Sequence, residues 1–302
     1  MVRWRRPLGI IIGEAMGGLA PGGLLPVLTT GCMGISALIV GSIVDPVAGL
    51  VPFFGVLCIM ISLFFANFWR DPDRPIPKDR GVVLSPADGH VMFIKRERAV
   101  GRRPSQSELD EDDIIRDSLT GDWYPQPSDN PLRFETEQLF EEVPQGEESE
   151  LDVWRIAVFM SPLDVHVNRS PIEGELVITE HRKGKGLKRG PFLPAFKKES
   201  EFNERVRNVF ENGEGERIEV SQISGALART IVPWVIAPFS LRRGQRIGMI
   251  RLGSRVDVRV KADDYLPNVV SAEEKNASHP KGEFVQAGSS ILFVPNHVED
   301  DE

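Results

Sequence analysis

Two long apolar runs open the chain. No charged residue occurs from Ala15 to Val44, nor from Pro46 to Trp69, and each run exceeds the roughly 20 residues that a helix needs to cross a hydrocarbon core. Asp45-Pro46 between them reads as a short turn. Residues 1–74 are therefore predicted to be a membrane anchor, two transmembrane helices followed by a juxtamembrane segment. Glu14 and the Pro21-Gly22-Gly23 break blur the start of the first span. Arg3, Arg5 and Arg6 followed by Leu8–Ile12 could open a cleaved signal peptide, but two further apolar spans follow directly and argue against it. Basic residues precede the first span and follow the second (Arg70, Arg74). Both ends, and the domain beyond them, are expected on the cytoplasmic face of the cell membrane.

Beyond residue 75 the periodicity changes from helical to alternating. Val82-Val83-Leu84 and His90–Lys95 read as strands joined by the turn Ser85-Pro86-Ala87-Asp88-Gly89. Trp154–Met160, Gly174–His181, Ile218–Ile223 and Ala228–Val235 add further strands. Ile247 and Met249, then Val256, Val258 and Val260, place two strands on either side of Gly253-Ser254. Lys281–Val294 ends the chain with a glycine-spaced turn and an apolar strand. No long amphipathic helix and no parallel β/α repeat is visible. The fold class is α+β: a mainly β domain over 75–302, of compact sheet or barrel-sandwich type with a few helices, behind the helical hairpin.

Composition modifies this picture at one place. The net charge is −8, yet Pro104–Asp152 holds sixteen acidic residues against only Arg116 and Arg133. The remainder is net basic, which suits an anionic membrane surface. The acidic insert, about 98–152, is expected to be a solvated loop with room for one short helix and no chemistry of its own. No basic helix, finger spacing or stacking motif marks a nucleic-acid partner. Cys32 and Cys58 lie in apolar runs and read as small hydrophobes. The five histidines show no ligand spacing, so no metal is expected.

Some residue types invite chemistry. Glycine permits a sharp bend, and a serine placed after such a bend can attack the preceding carbonyl. A β-bulge or tight corner is the ordinary reading of Gly253-Ser254, and Gly288-Ser289 is a second such pair. His166 ends a buried strand among Asp164, Asn168 and Arg169, where it could move a proton or simply hold structure. Asp88 before Gly89 is ordinarily a turn residue. Arg182-Lys183-Gly184-Lys185-Gly186 could meet a phosphate or be a solvated loop. A membrane-anchored Ser-His-Asp hydrolase and a non-enzymatic tethered β domain remain open at this level, although no Gly-x-Ser-x-Gly surrounds Ser254.

Taken in order, several stretches resemble the phosphatidylserine decarboxylase proenzyme family. They are Phe68-Trp69-Arg70-Asp71-Pro72-Asp73-Arg74, Ser85–Gly89, Met160–Arg169, Lys183-Gly184-Lys185, Asn203-Glu204-Arg205 and Ile247–Asp257. The chain is most similar to the short form found in bacteria and archaea, which includes archaetidylserine decarboxylases. The resemblance implies self-cleavage at 253/254. Ser254 would attack the Gly253 carbonyl, and the residue left at the new terminus would become a covalent pyruvoyl group. That cofactor would form a Schiff base with a serine phospholipid, and decarboxylation would give the ethanolamine lipid. The α and β chains of the precursor would stay associated.

By similarity His166 would be the base and Asp88 its carboxylate partner. Arg169, Lys183, Lys185, Arg205 and His181 would be substrate-phosphate or auxiliary residues. Other branches of the family carry Asp-Tyr-His-x-x-His, whereas Arg169 stands at the second histidine's place here. His166 must then serve both self-cleavage and protonation, or Arg169, His90 or His181 takes one role. A pyruvoyl enzyme acting on a soluble amino acid would have no need of the helical hairpin.

Overall fold

The computed structural model describes residues 18–44, 49–99, 114–116, 123–125, 140–144, 146–149, 152–182, 203–225, 230–251, 253–272 and 282–296. The Asp45-Pro46 turn, Lys183 and Lys185 lie outside the described residues. The chain divides into two units: residues 1–74 with Pro162–Val167, and residues 75–161 with 168–302.

In the first unit, α1 (Leu24–Val44) begins directly after the Pro21-Gly22 turn, and α2 (Leu50–Phe68) returns. Their 21 and 19 residues make each about 30 Å long, the thickness of a bilayer core. Both are long and apolar enough to cross a membrane. Small residues let them pack closely, as lipid-embedded helices require when water supplies no hydrophobic drive between them. A Cβ built on Gly34 would lie 2.9 Å from the carbonyl oxygen of Gly55, and the Ser62 hydroxyl donates to the Val27 carbonyl at 2.8 Å. Leu25, Ile43, Leu50, Phe53 and Leu63 face outward, exposed. The hairpin's base is closed by backbone bonds from Ala20 to Trp69 and from Asp71 to Gly18, both 2.7 Å.

The second unit is built of strands. In chain order they are β1 (Val83–Leu84), β2 (Gly89–Ala99), β3 (Ile114–Arg116), β4 (Trp123–Pro125), β5 (Phe140–Glu142) and β6 (Asp152–Met160). Next come β7 (Val167–Arg169), β8 (Gly174–Arg182), β9 (Arg205–Glu211), β10 (Arg217–Ser224), β11 (Thr230–Pro233) and β12 (Phe239–Leu241). The last are β13 (Arg246–Arg251), β14 (Ser254–Lys261), β15 (Tyr265–Pro267), β16 (Phe284–Val285) and β17 (Ile291–Pro295). The main sheet runs β12-β8-β9-β10-β14-β6-β2-β16, with β5 added on β2. Smaller sheets are β1-β17-β15, β11-β13-β7 and β3-β4.

The mainly β expectation holds. The main sheet is open, not a closed barrel, and the described residues of this unit contain no helix. The acidic insert joins two strands that pair with each other, β2 and β6. It thus lengthens a hairpin connection without interrupting the sheet. Its described residues include the strands β3, β4 and β5 and no helix. At its base Asp152 is clipped to Arg98 Nε at 2.7 Å and to Arg96 Nε at 3.2 Å.

Strand β14 sits between β10 and β6 and alternates strictly. Val256, Val258 and Val260 enter the hydrophobic core with Ile156, Val158, Val220 and Ile218. Arg255, Asp257 and Arg259 point to the other face and are also buried. There they join a ladder of ion pairs that crosses six strands. Arg155 binds Asp257 (Nε–Oδ2 2.8 Å) and Glu97 (3.0 Å). Arg259 binds Glu219 at 2.7 Å, and Arg207 binds Glu219 at 2.8 Å and Glu180 at 2.9 Å. Each buried charge needs its partner, because removing one member strands the other away from water.

Burial pushes the Glu219 and Asp257 carboxyls up, but the guanidiniums outweigh it. Arg207 and Arg259 hold Glu219, and Arg155, Arg255 and Arg259 hold Asp257, below the ordinary carboxylate range. Over the window between the unfolded and native values, the unfolded chain binds protons that the native chain does not. The ladder's contribution is therefore whole above about pH 4, and it is lost as the pH falls through the lower native values. Urea denaturation in detergent should show stability falling below that point. Glu219→Gln should lower the unfolding free energy at pH 7 by about 3 kcal/mol and flatten the acid dependence.

Candidate active site

Ser254 is the first residue of β14, paired across the sheet with Met160 at the end of β6 and with Ser224 at the end of β10. Gly253 before it has φ +61°, in the left-handed region, and a Cβ there would meet no heavy atom within 4 Å. Its requirement for glycine is conformational, not steric. The bend turns the chain into the buried strand at this one bond. Ser254 is itself fully buried, and its hydroxyl donates to the Met160 sulfur at 3.3 Å.

A polar network holds the surroundings. Gln222, two residues before Ser224, donates to Asn168 Oδ1 at 2.8 Å. Asn168 Nδ2 donates to the Pro86 carbonyl at 3.3 Å and lies 3.9 Å from the Met160 sulfur. The Arg169 backbone N–H adds a 2.9 Å bond to the same Pro86 carbonyl. Thus β7 ties the Ser85–Gly89 turn to the neighbours of Ser254. That turn lies flat on β6 because residue 89 is glycine: a Cβ there would fall 2.0 Å from the Phe159 carbonyl oxygen. Within it Asp88 is buried, and its Oδ1 accepts the Ala287 N–H at 2.9 Å.

His166 belongs to the first unit, on the loop Pro162–Val167. The loop leaves the sheet just after Ser161 and returns at Asn168, so both its ends adjoin residues of the Ser254 network. The imidazole is buried. Its Nδ1 lies 2.8 Å from the Asp164 carbonyl, and a carbonyl only accepts, so Nδ1 carries the proton. In the neutral ring this leaves Nε2 as the basic nitrogen.

The other predicted residues are spread more widely. The Asn203-Glu204-Arg205 stretch sits at the same end of the sheet as Ser254, beyond β10 and two strands from β14. Asn203 donates to the Ser224 carbonyl at 2.8 Å, the Glu204 carbonyl accepts the Ser224 N–H at 2.9 Å, and Arg205 is registered opposite Ile223. His181 pairs with Glu204 at 2.7 Å. Arg169 is buried, with Nη1 3.4 Å from the Gly244 carbonyl and its aliphatic stem against Gly288. His90 Nδ1 is 3.1 Å from the Gly282 carbonyl. In Gly288-Ser289, the serine hydroxyl donates to the Pro75 carbonyl at 2.9 Å.

Gln222 was not singled out from the sequence; Met160 and Asn203 stand in motifs that carry the resemblance but were given no role there.

Curated proteins similar to this chain are named as proenzymes. The chain belongs to the phosphatidylserine decarboxylase family, whose model matches residues 61–293. A phosphatidylserine decarboxylase proenzyme of Symbiobacterium thermophilum is 34% identical over 210 residues, 69% of this chain and 74% of its own. One from Thermobifida fusca is 52% identical over 139 residues, 46% of this chain and 55% of its own. A putative archaetidylserine decarboxylase proenzyme of Methanocaldococcus jannaschii is 34% identical over 243 residues, 80% and 95% of the two chains. No solved structure matches.

Asn168 accepts from Gln222 while donating to Pro86, so truncating it leaves buried polar groups unpaired. Asn168→Ala should lower the unfolding free energy by about 2 kcal/mol, measured by urea denaturation followed by circular dichroism.

Proposed function

We propose that this chain is the precursor of a pyruvoyl-dependent decarboxylase. Its substrate is a membrane serine phospholipid, phosphatidylserine or its ether-linked archaeal counterpart, and its products are the ethanolamine lipid and carbon dioxide. The observation that carries this reading is the bond between left-handed Gly253 and buried Ser254 at the head of the central strand, in a chain of this family.

Maturation follows from the residues in place. The Ser254 hydroxyl attacks the Gly253 carbonyl carbon; the C–O bond forms, the peptide C–N bond breaks, and the chain becomes an ester with a free α-amine. Loss of the Ser254 α-proton and cleavage of its Cβ–Oγ bond release Gly253 as a carboxylate. Hydrolysis of the resulting enamine expels ammonia and leaves the pyruvoyl ketone. His166, with its tautomer set by the Asp164 carbonyl, is the base for these proton transfers. Asp88, the carboxylate partner in this reading, is held in its own turn by the Ala287 N–H.

The site fits such a group. Residue 254 begins a strand, so scission removes only a turn, and the strand stays held by β10 and β6 and by its ion pairs. When present, the ketone supplies an electron sink for the carbanion that departing carbon dioxide leaves. The chain's own residues then exclude water around it, and His166 returns a proton to that carbon.

A Ser-His-Asp hydrolase needs an exposed nucleophile, and full burial of Ser254 disfavours it. Arginines flanking both spans favour a cytoplasmic active site, and the apolar hairpin suits a lipid substrate.

On a denaturing gel the wild-type chain should split into two fragments, the smaller spanning 254 to 302, while Ser254→Ala stays whole. Persistence of the split in Ser254→Ala would refute the serine mechanism. His166→Ala should slow scission by about 10²–10⁴-fold, followed by pulse-chase, and Asp88→Asn should slow it less. Under native conditions the two fragments should co-elute in gel filtration and separate only in denaturant.

A further inference from the structure

The loop that carries His166 packs with the end of the membrane hairpin. The Phe68 ring, in the last turn of α2, lies 4.3 Å from the His166 ring, centroid to centroid, at 43°. Asn67 Nδ2 reaches the Leu163 carbonyl at 3.4 Å. Phe68 is itself buried and fixed, edge-on to Trp69 at 4.8 Å and stacked on Phe64 at 6.2 Å. The loop's own apolar tip does not anchor it, since Leu163 is 65% exposed.

From these contacts we infer that Phe68 is a positioning residue for His166: the anchor sets the plane of the catalytic imidazole as well as tethering the domain. Two constraints define a ring's orientation. The Nδ1–H bond to the Asp164 carbonyl fixes its rotation within the plane, and the face of Phe68 fixes the plane. Together they fix where Nε2 points. Aromatic pairs of this kind are worth more than the area they bury, and small misplacements of a catalytic group are costly to rate. The inference rests on the proposed role of His166, and it makes maturation depend on a correctly folded hairpin even in detergent, without a bilayer.

The test uses the full-length chain in detergent micelles. Phe68→Leu keeps the apolar volume but removes the ring; it should slow scission at 253/254 by about tenfold or more. Phe68→Tyr should restore the wild-type rate. Phe53→Ala, on the exposed side of α2, should leave the rate unchanged. A merely structural role would give slowing in proportion to lost thermal stability, so the melting midpoint of each variant is measured alongside.

Histidine-labelled NMR of the uncleaved Ser254→Ala chain reads the contact without activity. The His166 ring protons should be displaced by the Phe68 ring current, and Phe68→Leu should abolish that displacement. Wild-type scission rates in Phe68→Leu, or slowing that tracks its melting midpoint, would overturn the inference. So would a His166 resonance indifferent to Phe68. A wild-type chain that never splits would overturn the function proposed above, and this inference with it; the NMR displacement would still report whether the ring contact exists.

Discussion

The structure depends on one strand being held from all sides. β14 has a hydrogen-bonded neighbour on each edge, a valine row against the core on one face, and arginine and aspartate in buried ion pairs on the other. Its first residue is Ser254, reached through a backbone bend that only glycine adopts at low cost. A chain that breaks the bond before residue 254 must keep the strand that begins there. The edge pairing, the core contacts and the ion pairs join β14, C-terminal to the bond, to residues N-terminal to it without using the bond itself, so none of them would be lost were it to break.

The same arrangement puts the proposed chemistry at one rim of the sheet. Met160, Ser224 and Ser254 end three adjacent strands at one rim of the sheet, and Asn168, Pro86 and Asn203 converge there through hydrogen bonds to their neighbours. The rim is made from separate parts of the chain, each contributing a loop or strand end. Such a rim assembles a site from loops on a rigid scaffold; Phe68 and Asn67 of the apolar hairpin pack on the loop that carries His166.

Much of this was legible in the sequence. The change from uncharged runs to alternating strands marks the helices and most of the sheet, because period and length are local properties. The buried ion-pair face was not. Arg255, Asp257 and Arg259 alternate with valines; periodicity says that two faces differ, not whether one of them is wet. The ladder also depends on partners from Glu97 to Glu219, which no local window connects. The described strands of the acidic insert were missed for a related reason. Composition reports average solubility, whereas β5 forms because β2 offers it an edge.

The site divides in the same way. Gly253-Ser254 stands out because glycine's freedom and serine's hydroxyl are intrinsic to the residues. The orientation of His166 does not, since it is set by the Asp164 carbonyl nearby in sequence and by Phe68 nearly a hundred positions away.

Borohydride treatment of the purified protein followed by intact-mass measurement addresses the central claim most directly. The account predicts a fragment that begins at residue 254, carries a ketone in place of the serine amine and side chain, and gains the mass of a reduced carbonyl. A single unbroken polypeptide whose mass borohydride leaves unchanged would contradict it.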